Sequence, residues 1–242
     1  MVLSKNSIMN KKIKIAIVIV AALILAFSVY YLTDYSHAEK TATDYLNGTE
    51  NVSVVKTDNG LFLDGYGNDT ALIFYPGAKI EYTSYLPMFT DLASQGVDCY
   101  IVEMPFNLAF LGSDKADSII DSTNYTHYFL SCHSLGGVMA SSYVSNNDKC
   151  DGLILLASYP SKEVDEPVLS IYGSNDGVLN LESYQKAKPL MKNLTEVIID
   201  GGNHVQFGYY GHQSGDNNAD ITSQDQQNQT VDEILDFINQ IS

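Results

Sequence analysis

The sequence predicts an α/β fold, a doubly wound and mainly parallel sheet, behind one membrane-crossing helix near the N-terminus. Three observations carry this. Apolar strand-like runs alternate with segments of helical spacing from about residue 70 onward. Residues 15–32 form an 18-residue apolar run. At residues 127–143 a β run passes through a sharp turn into a helix of small residues. With about 40 N-terminal residues set aside, some 200 remain for a single sizeable domain.

The apolar run, IAIVIVAALILAFSVYYL, has Ser28 as its one clearly polar member and is just long enough to cross a bilayer as a helix. Tyr30 and Tyr31 suit the far interface. Lys5, Lys11, Lys12 and Lys14 precede the run and acidic residues follow it, so the positive-inside tendency places residues 1–32 as a cytoplasmic tail and signal anchor with the rest outside the cytoplasm. Ser36-His37-Ala38 resembles a small-x-small cleavage site, which gives secretion after cleavage as the alternative. The apolar stretch exceeds the usual signal core, and this length argues for an uncleaved anchor on the cell membrane.

Residues 33–50, polar and mixed, read as a tether or a first helix, and the folded domain spans 51–242. Its first feature is a hairpin, residues 52–56 and 61–63 about the turn Asp58-Asn59-Gly60. Buried strands then follow at 72–76, 99–104, 127–132, 153–157, 168–173 and 196–200, with helical spacing at 81–95, 135–145, 180–191 and 226–241. Runs apolar on both faces belong to a parallel sheet covered on both sides, and such a sheet binds ligands beyond the carboxyl ends of its strands.

Charge excludes several partners. The net charge is −16, and residues 41–242 alone carry 8 lysines against 27 acidic residues. Such a surface repels nucleic acid and anionic lipid. All 13 basic residues are lysine, so the guanidinium fork that grips phosphate is missing, and phosphoester or nucleotide substrates are disfavoured. Cys99, Cys132 and Cys150 show none of the short paired spacings of metal or redox sites and read as small structural residues. No metal or cofactor is implied.

The chemistry centres on HYFLSCHSLGGVMASSY. A strand ending near Cys132, a tight turn at His133-Ser134-Leu135 and a helix opening at Gly136 form a nucleophile elbow, which forces Ser134 into a strained conformation and requires small neighbours two residues away on each side. Gly136 meets that requirement, and Cys132 stands where glycine is usual. A serine needs a base, and the base needs an orienting acid. In the elbow architecture they follow in the order acid, then histidine. Asp176, in IYGSNDGVL, and His204, in IIDGGNHVQFG, each lie just past a strand and complete the set, although an Asn-Asp-Gly turn would also account for Asp176. His37, His127 and His212 lie in unsuitable places, and His133 adjoins the serine with its side chain directed elsewhere. The oxyanion needs two N–H donors. Leu135 supplies one, and Gly77 or Ala78, in FYPGAKI, the other.

These residues resemble the α/β-hydrolase superfamily, and more narrowly the small bacterial group described as dienelactone-hydrolase-like, over about residues 70–240. The segments that carry the likeness are FYPGAKIEYTSYLPMFTDLASQG, MPFNLAF, CHSLGG, GLILLASYP, IYGSNDGV and GGNHVQFGYYGHQSGD. The resemblance implies a sheet of the α/β-hydrolase type, a triad at Ser134, Asp176 and His204, and oxyanion donors at Leu135 and within residues 76–79. Dienelactone hydrolases proper use cysteine as nucleophile, so their substrate is not carried over. Only Ser158 to Glu166 separate the LILLASYP strand from the next at Pro167, leaving no room for a substantial lid. The segment FNLAFL, residues 106–111, reads as a core-facing helix start or as an acyl-pocket wall.

The expected activity is hydrolysis of a carboxylic ester or thioester through an acyl-serine, with a small acyl substrate and the membrane as partners. A silent anchored binding module and an acyltransferase using the same acyl-enzyme are the alternatives.

Overall fold

The computed structural model describes residues 11–67 and 69–242, so Lys5 and most of the expected cytoplasmic tail lie outside it. The chain divides into two units, residues 1–35 and 36–242. The described part of the first is one helix, α1 (Lys11–Thr33), with no buried residue and an apolar surface on every side. By length and composition it can cross a membrane.

In the second unit, α2 (Lys40–Thr43) and a 3₁₀ turn (Asp44–Asn47) come first, on the segment expected as a tether or first helix. The hairpin follows as β1 (Ser53–Thr57) and β2 (Gly60–Asp64), then β3 (Thr70–Tyr75), α3 (Leu86–Ser94), β4 (Asp98–Val102), α4 (Lys115–Ile120), β5 (His127–His133), α5 (Gly136–Val144) and β6 (Gly152–Leu156). The chain continues through β7 (Val164–Gly173), α6 (Leu181–Ala187), β8 (Met191–Ile199) and α7 (Ser223–Ile241). The eight strands form one sheet in the order β1-β2-β4-β3-β5-β6-β7-β8. The hairpin pairs antiparallel, with itself and with β4, and every other pairing is parallel.

Residue chemistry sets which strands lie inside. β3 (TALIFY) and β6 (GLILL) are buried at every position, as parallel strands covered on both faces must be. β1 and β8 form the edges and carry Lys56, Lys192 and Glu196 on partly exposed faces, which blunts edge pairing. The pleat sends alternate residues of β5 to opposite layers. Phe129 meets Phe237 of α7, with ring centroids 6.1 Å apart, whereas Cys132 lies under Gly137 of α5. The two layers therefore flank the sheet.

The β6–β7 crossover has no helix. Parallel neighbours usually need a dozen or more connecting residues, yet only 157–163 intervene here. The chain manages this because β7 starts early. Val164 and Pro167 pair only with β8, and Val168 is the first to lie beside β6, opposite Leu153. No lid stands at this point.

Two details differ from expectation. The helical spacing at 81–95 begins as a 3₁₀ turn (Tyr82–Tyr85), with α3 starting at Leu86 just before Pro87, whose missing N–H suits a first turn. The FNLAFL segment is neither a core helix start nor a pocket wall. It makes two 3₁₀ turns (Pro105–Asn107 and Ala109–Leu111) that bury only Leu108 and Ala109 and leave Phe106, Phe110 and Leu111 exposed. Positive φ at Phe106 (53°) and Asn107 (55°) breaks the helical path there.

Candidate active site

The site begins where β5 ends. Ser134 has φ 53°, the left-handed region a β-carbon disfavours, and hydrogen bonds on both sides hold it there. Its N–H donates to the Leu156 carbonyl at 3.0 Å, and its carbonyl accepts from the Ser158 hydroxyl at 2.6 Å and the Gly137 N–H at 3.0 Å. Gly136 presses against the end of β3, where a Cβ would stand 2.7 Å from the Tyr75 and Pro76 carbonyl oxygens. Cys132 fits because Gly137 has no side chain. A Cβ on Gly137 would lie 3.3 Å from the Cys132 Sγ and 1.9 Å from the Ser158 Oγ.

Asp176 follows β7. Its Oδ1 accepts from the N–H groups of Val178 (2.8 Å) and Leu179 (2.7 Å), closing a local turn, and this leaves Oδ2 to meet His204 Nδ1 at 2.9 Å. Both side chains are 1% exposed, so this contact is shielded from solvent. A carboxylate only accepts, so the Nδ1–H of His204 donates to Asp176, and Nε2 is the ring nitrogen left for other chemistry. That Nε2 is buried and has no hydrogen-bond partner among the described residues.

Ser134 and His204 line one cavity of about 320 Å³. Its other walls are mainly apolar, with Ile80, Leu135, Val138, Tyr159 and Leu179 among them, and no Lys, Asp or Glu lines it. Ala78 and Leu135 line it too, and their N–H groups engage no acceptor among the described residues. Gly77 is different. Its N–H donates to the Tyr85 hydroxyl at 3.2 Å, so of the two candidates on this loop only Ala78 has a free donor.

Two supporting residues carry little or no sequence signal. The Asp216 carboxylate accepts from Gly177 N–H (3.0 Å) and Val205 N–H (2.9 Å), tying the loop of Asp176 to the loop of His204. Gln226, fully buried on α7, accepts from Asn203 N–H at 2.9 Å and donates to its carbonyl at 2.8 Å, fixing the residue before His204. The sequence signal for Asp216 is its place at the end of the GGNHVQFGYYGHQSGD segment, whereas nothing local marks Gln226. His133 does not face the cavity with Ser134. Its ring packs on that of His204, centroids 4.6 Å apart, and burial, with His204 beside it, holds its pKa well below the ordinary histidine value.

A mostly parallel sheet in this strand order, with a strained serine after its fifth strand and a buried carboxylate–histidine pair after its last two, is the scaffold of a hydrolase of the α/β class. The chain belongs to the alpha/beta hydrolase family, whose model matches residues 71–228. Solved structures of this fold resemble it at low identity. A membrane phospholipase A described as a bacterial virulence factor is 12% identical, with TM-score 0.58, covering 96% of this chain and 99% of that one. A predicted CIB-like hydrolase from Thermoplasma acidophilum is 13% identical, with TM-score 0.56, covering 76% and 99%. The mouse alpha/beta hydrolase domain-containing protein 10 is 12% identical, with TM-score 0.55, covering 79% and 99%. These likenesses concern the fold alone. No individual curated protein matches the chain by sequence.

Proposed function

We propose that this chain is a serine hydrolase that cleaves a carboxylic ester or thioester through an acyl-serine intermediate. The observation that carries the reading is the state of His204: Nδ1 is held by Asp176, and Nε2 lies unpaired and buried on the same cavity as the strained Ser134. In this mechanism Ser134 attacks the acyl carbon while His204 Nε2 takes its proton. Asp176 holds the imidazole and stabilises the imidazolium. The Leu135 and Ala78 N–H groups receive the oxyanion, and each such donor contributes on the order of 10²–10³ in rate. His204 then protonates the leaving group, and water, activated by the same imidazole, releases the acid. An uncharged, apolar cavity suits an uncharged acyl chain of modest size.

The domain is read as anchored on the outer face of the membrane by α1. What supports an uncleaved anchor is that the Ser36-His37-Ala38 motif is built into the second unit. Ser36 pairs with the segment after the oxyanion loop, its N–H donating to the Lys79 carbonyl (2.8 Å) and its carbonyl accepting from Glu81 N–H (2.9 Å), and Ala38 N–H donates to the Glu81 carboxylate (3.0 Å).

Replacing Ser134 with alanine should abolish both turnover of short p-nitrophenyl esters and labelling by a fluorophosphonate. Undiminished turnover in Ser134→Ala, or a wild-type chain that no serine-directed probe labels, would defeat the reading.

A further inference from the structure

Behind the candidate site lie a tyrosine and a histidine that the proposed chemistry does not use. Tyr85, in the turn before α3, is fully buried, and its hydroxyl has two neighbours: the Gly77 N–H, which donates to it at 3.2 Å, and His133 Nδ1 at 2.9 Å. His133, the last residue of β5, is equally buried, with its ring against His204 and Phe207. Burial pushes the phenol's pKa above its ordinary value and the imidazole's below, so both groups are neutral.

Proton counting then gives the bonds a direction. Gly77 N–H can only donate, so the tyrosine oxygen accepts from it. The hydroxyl's own proton has one acceptor within reach among the described residues, His133 Nδ1. The bonds therefore run Gly77 N–H to Tyr85 O–H to His133 Nδ1, each polarising the next in a dry interior. Gly77 fits against the pair only because it lacks a side chain: a Cβ there would meet His133 Nδ1 at 3.0 Å and the Tyr85 hydroxyl at 3.2 Å. This chain links the two segments that carry the oxyanion donors, the loop after β3 with Ala78 and the end of β5 with Leu135.

We propose that Tyr85 and His133 are positioning residues for the oxyanion hole: by fixing the Gly77 peptide against the nucleophile elbow they aim the Ala78 N–H into the cavity in register with that of Leu135. This rests on the hydrolase reading above and deepens it. Neither residue touches substrate. Their effect is expressed in the transition state, because the donors act on charge that develops only there, and a misplacement of about 1 Å costs on the order of 10²-fold.

The test uses the full chain and measures kcat and KM for p-nitrophenyl butyrate, normalised to the serine labelled by fluorophosphonate at completion. Tyr85→Phe removes one hydroxyl and keeps the ring. His133→Leu removes the acceptor, whereas His133→Asn keeps an oxygen near the Nδ1 position. The expected result is a fall in kcat per labelled serine on the order of 10- to 100-fold in Tyr85→Phe and His133→Leu, with KM unchanged. His133→Asn should recover most of that loss. A structural role alone would lower the labelled fraction and leave kcat per labelled site intact. That outcome, a loss confined to KM, or a His133→Asn no better than His133→Leu overturns the proposal. A wild-type chain that takes no label overturns the hydrolase reading and this inference together, whereas a labelled, active wild type beside an undiminished Tyr85→Phe overturns the inference alone.

Discussion

Backbone strain in the described residues is gathered at one end of the sheet. The non-glycine residues with positive φ, Lys79, Phe106, Asn107, Ser134 and Ala157, all lie in the loops that leave β3, β4, β5 and β6. Each such conformation costs about 1–3 kcal/mol and persists only where its surroundings hold it, as the Leu156 carbonyl and Ser158 hydroxyl hold Ser134. His133 adds a cost that depends on pH. Its pKa in the fold lies well below the ordinary value of about 6.5, so below pH 6.5 the unfolded chain binds a proton that the folded chain refuses. The sign follows: this cost is absent above about pH 6.5 and grows as pH falls toward the folded value, by no more than about 1.4 kcal/mol per pH unit. Asp91 and Asp98, raised by burial, act with the opposite sign from about pH 3.8 upward. Denaturant unfolding from pH 7.5 to 5 should therefore show a slope that His133→Asn flattens by up to one proton's worth. Equal slopes in the two proteins would contradict this account, and the comparison cancels the carboxylates.

At the scale of elements, the site is made by loops that close approaches hold together. Gly173, at the end of β7, sits so near the loop after β8 that a Cβ would lie 2.2 Å from the Gly202 carbonyl carbon. This crossing brings Asp176 and His204 within reach, and Asp216 then ties the two loops by one hydrogen bond to each. Asp216→Ala frees both N–H groups. Because Asp216 is partly exposed, water can satisfy those donors, so thermal stability should change by less than about 1 kcal/mol. The loops, however, lose their mutual register. We expect kcat for p-nitrophenyl esters to fall on the order of tenfold, and unchanged kcat in that variant would show that the loops hold themselves.

At the scale of the whole molecule, the boundary between its two units can be tested. A chain starting at Ser36 keeps the pairing with Lys79 and Glu81, whereas one starting at Glu39, the product of cleavage after Ala38, loses three hydrogen bonds. Those bonds contribute about 1.5–4.5 kcal/mol together, which for a domain of this size moves Tm by roughly 3–18 °C. Equal Tm for the two truncations would remove this support for an uncleaved anchor.

Much of this architecture was legible in the chain because its signals are local. The order of buried strands, the hairpin at Asp58-Asn59-Gly60 and the 15–32 apolar run follow from hydrophobic period and turn chemistry, which neighbouring residues dictate. Ser134, Asp176 and His204 could be nominated because elbow sequence and chain order are also one-dimensional. FNLAFL departs from its expected core or pocket role because apolar content says nothing of the positive φ at Phe106 and Asn107 that turns it outward. Tertiary structure alone separated Ala78 from Gly77, through a tyrosine hydroxyl eight residues further along the chain. It also placed Asp216 between two loops, Gln226 behind His204, and the ring of His133 against that of His204. Sequence period fixes which residues turn inward, but which polar groups meet depends on loops crossing in three dimensions, and no local pattern encodes that crossing.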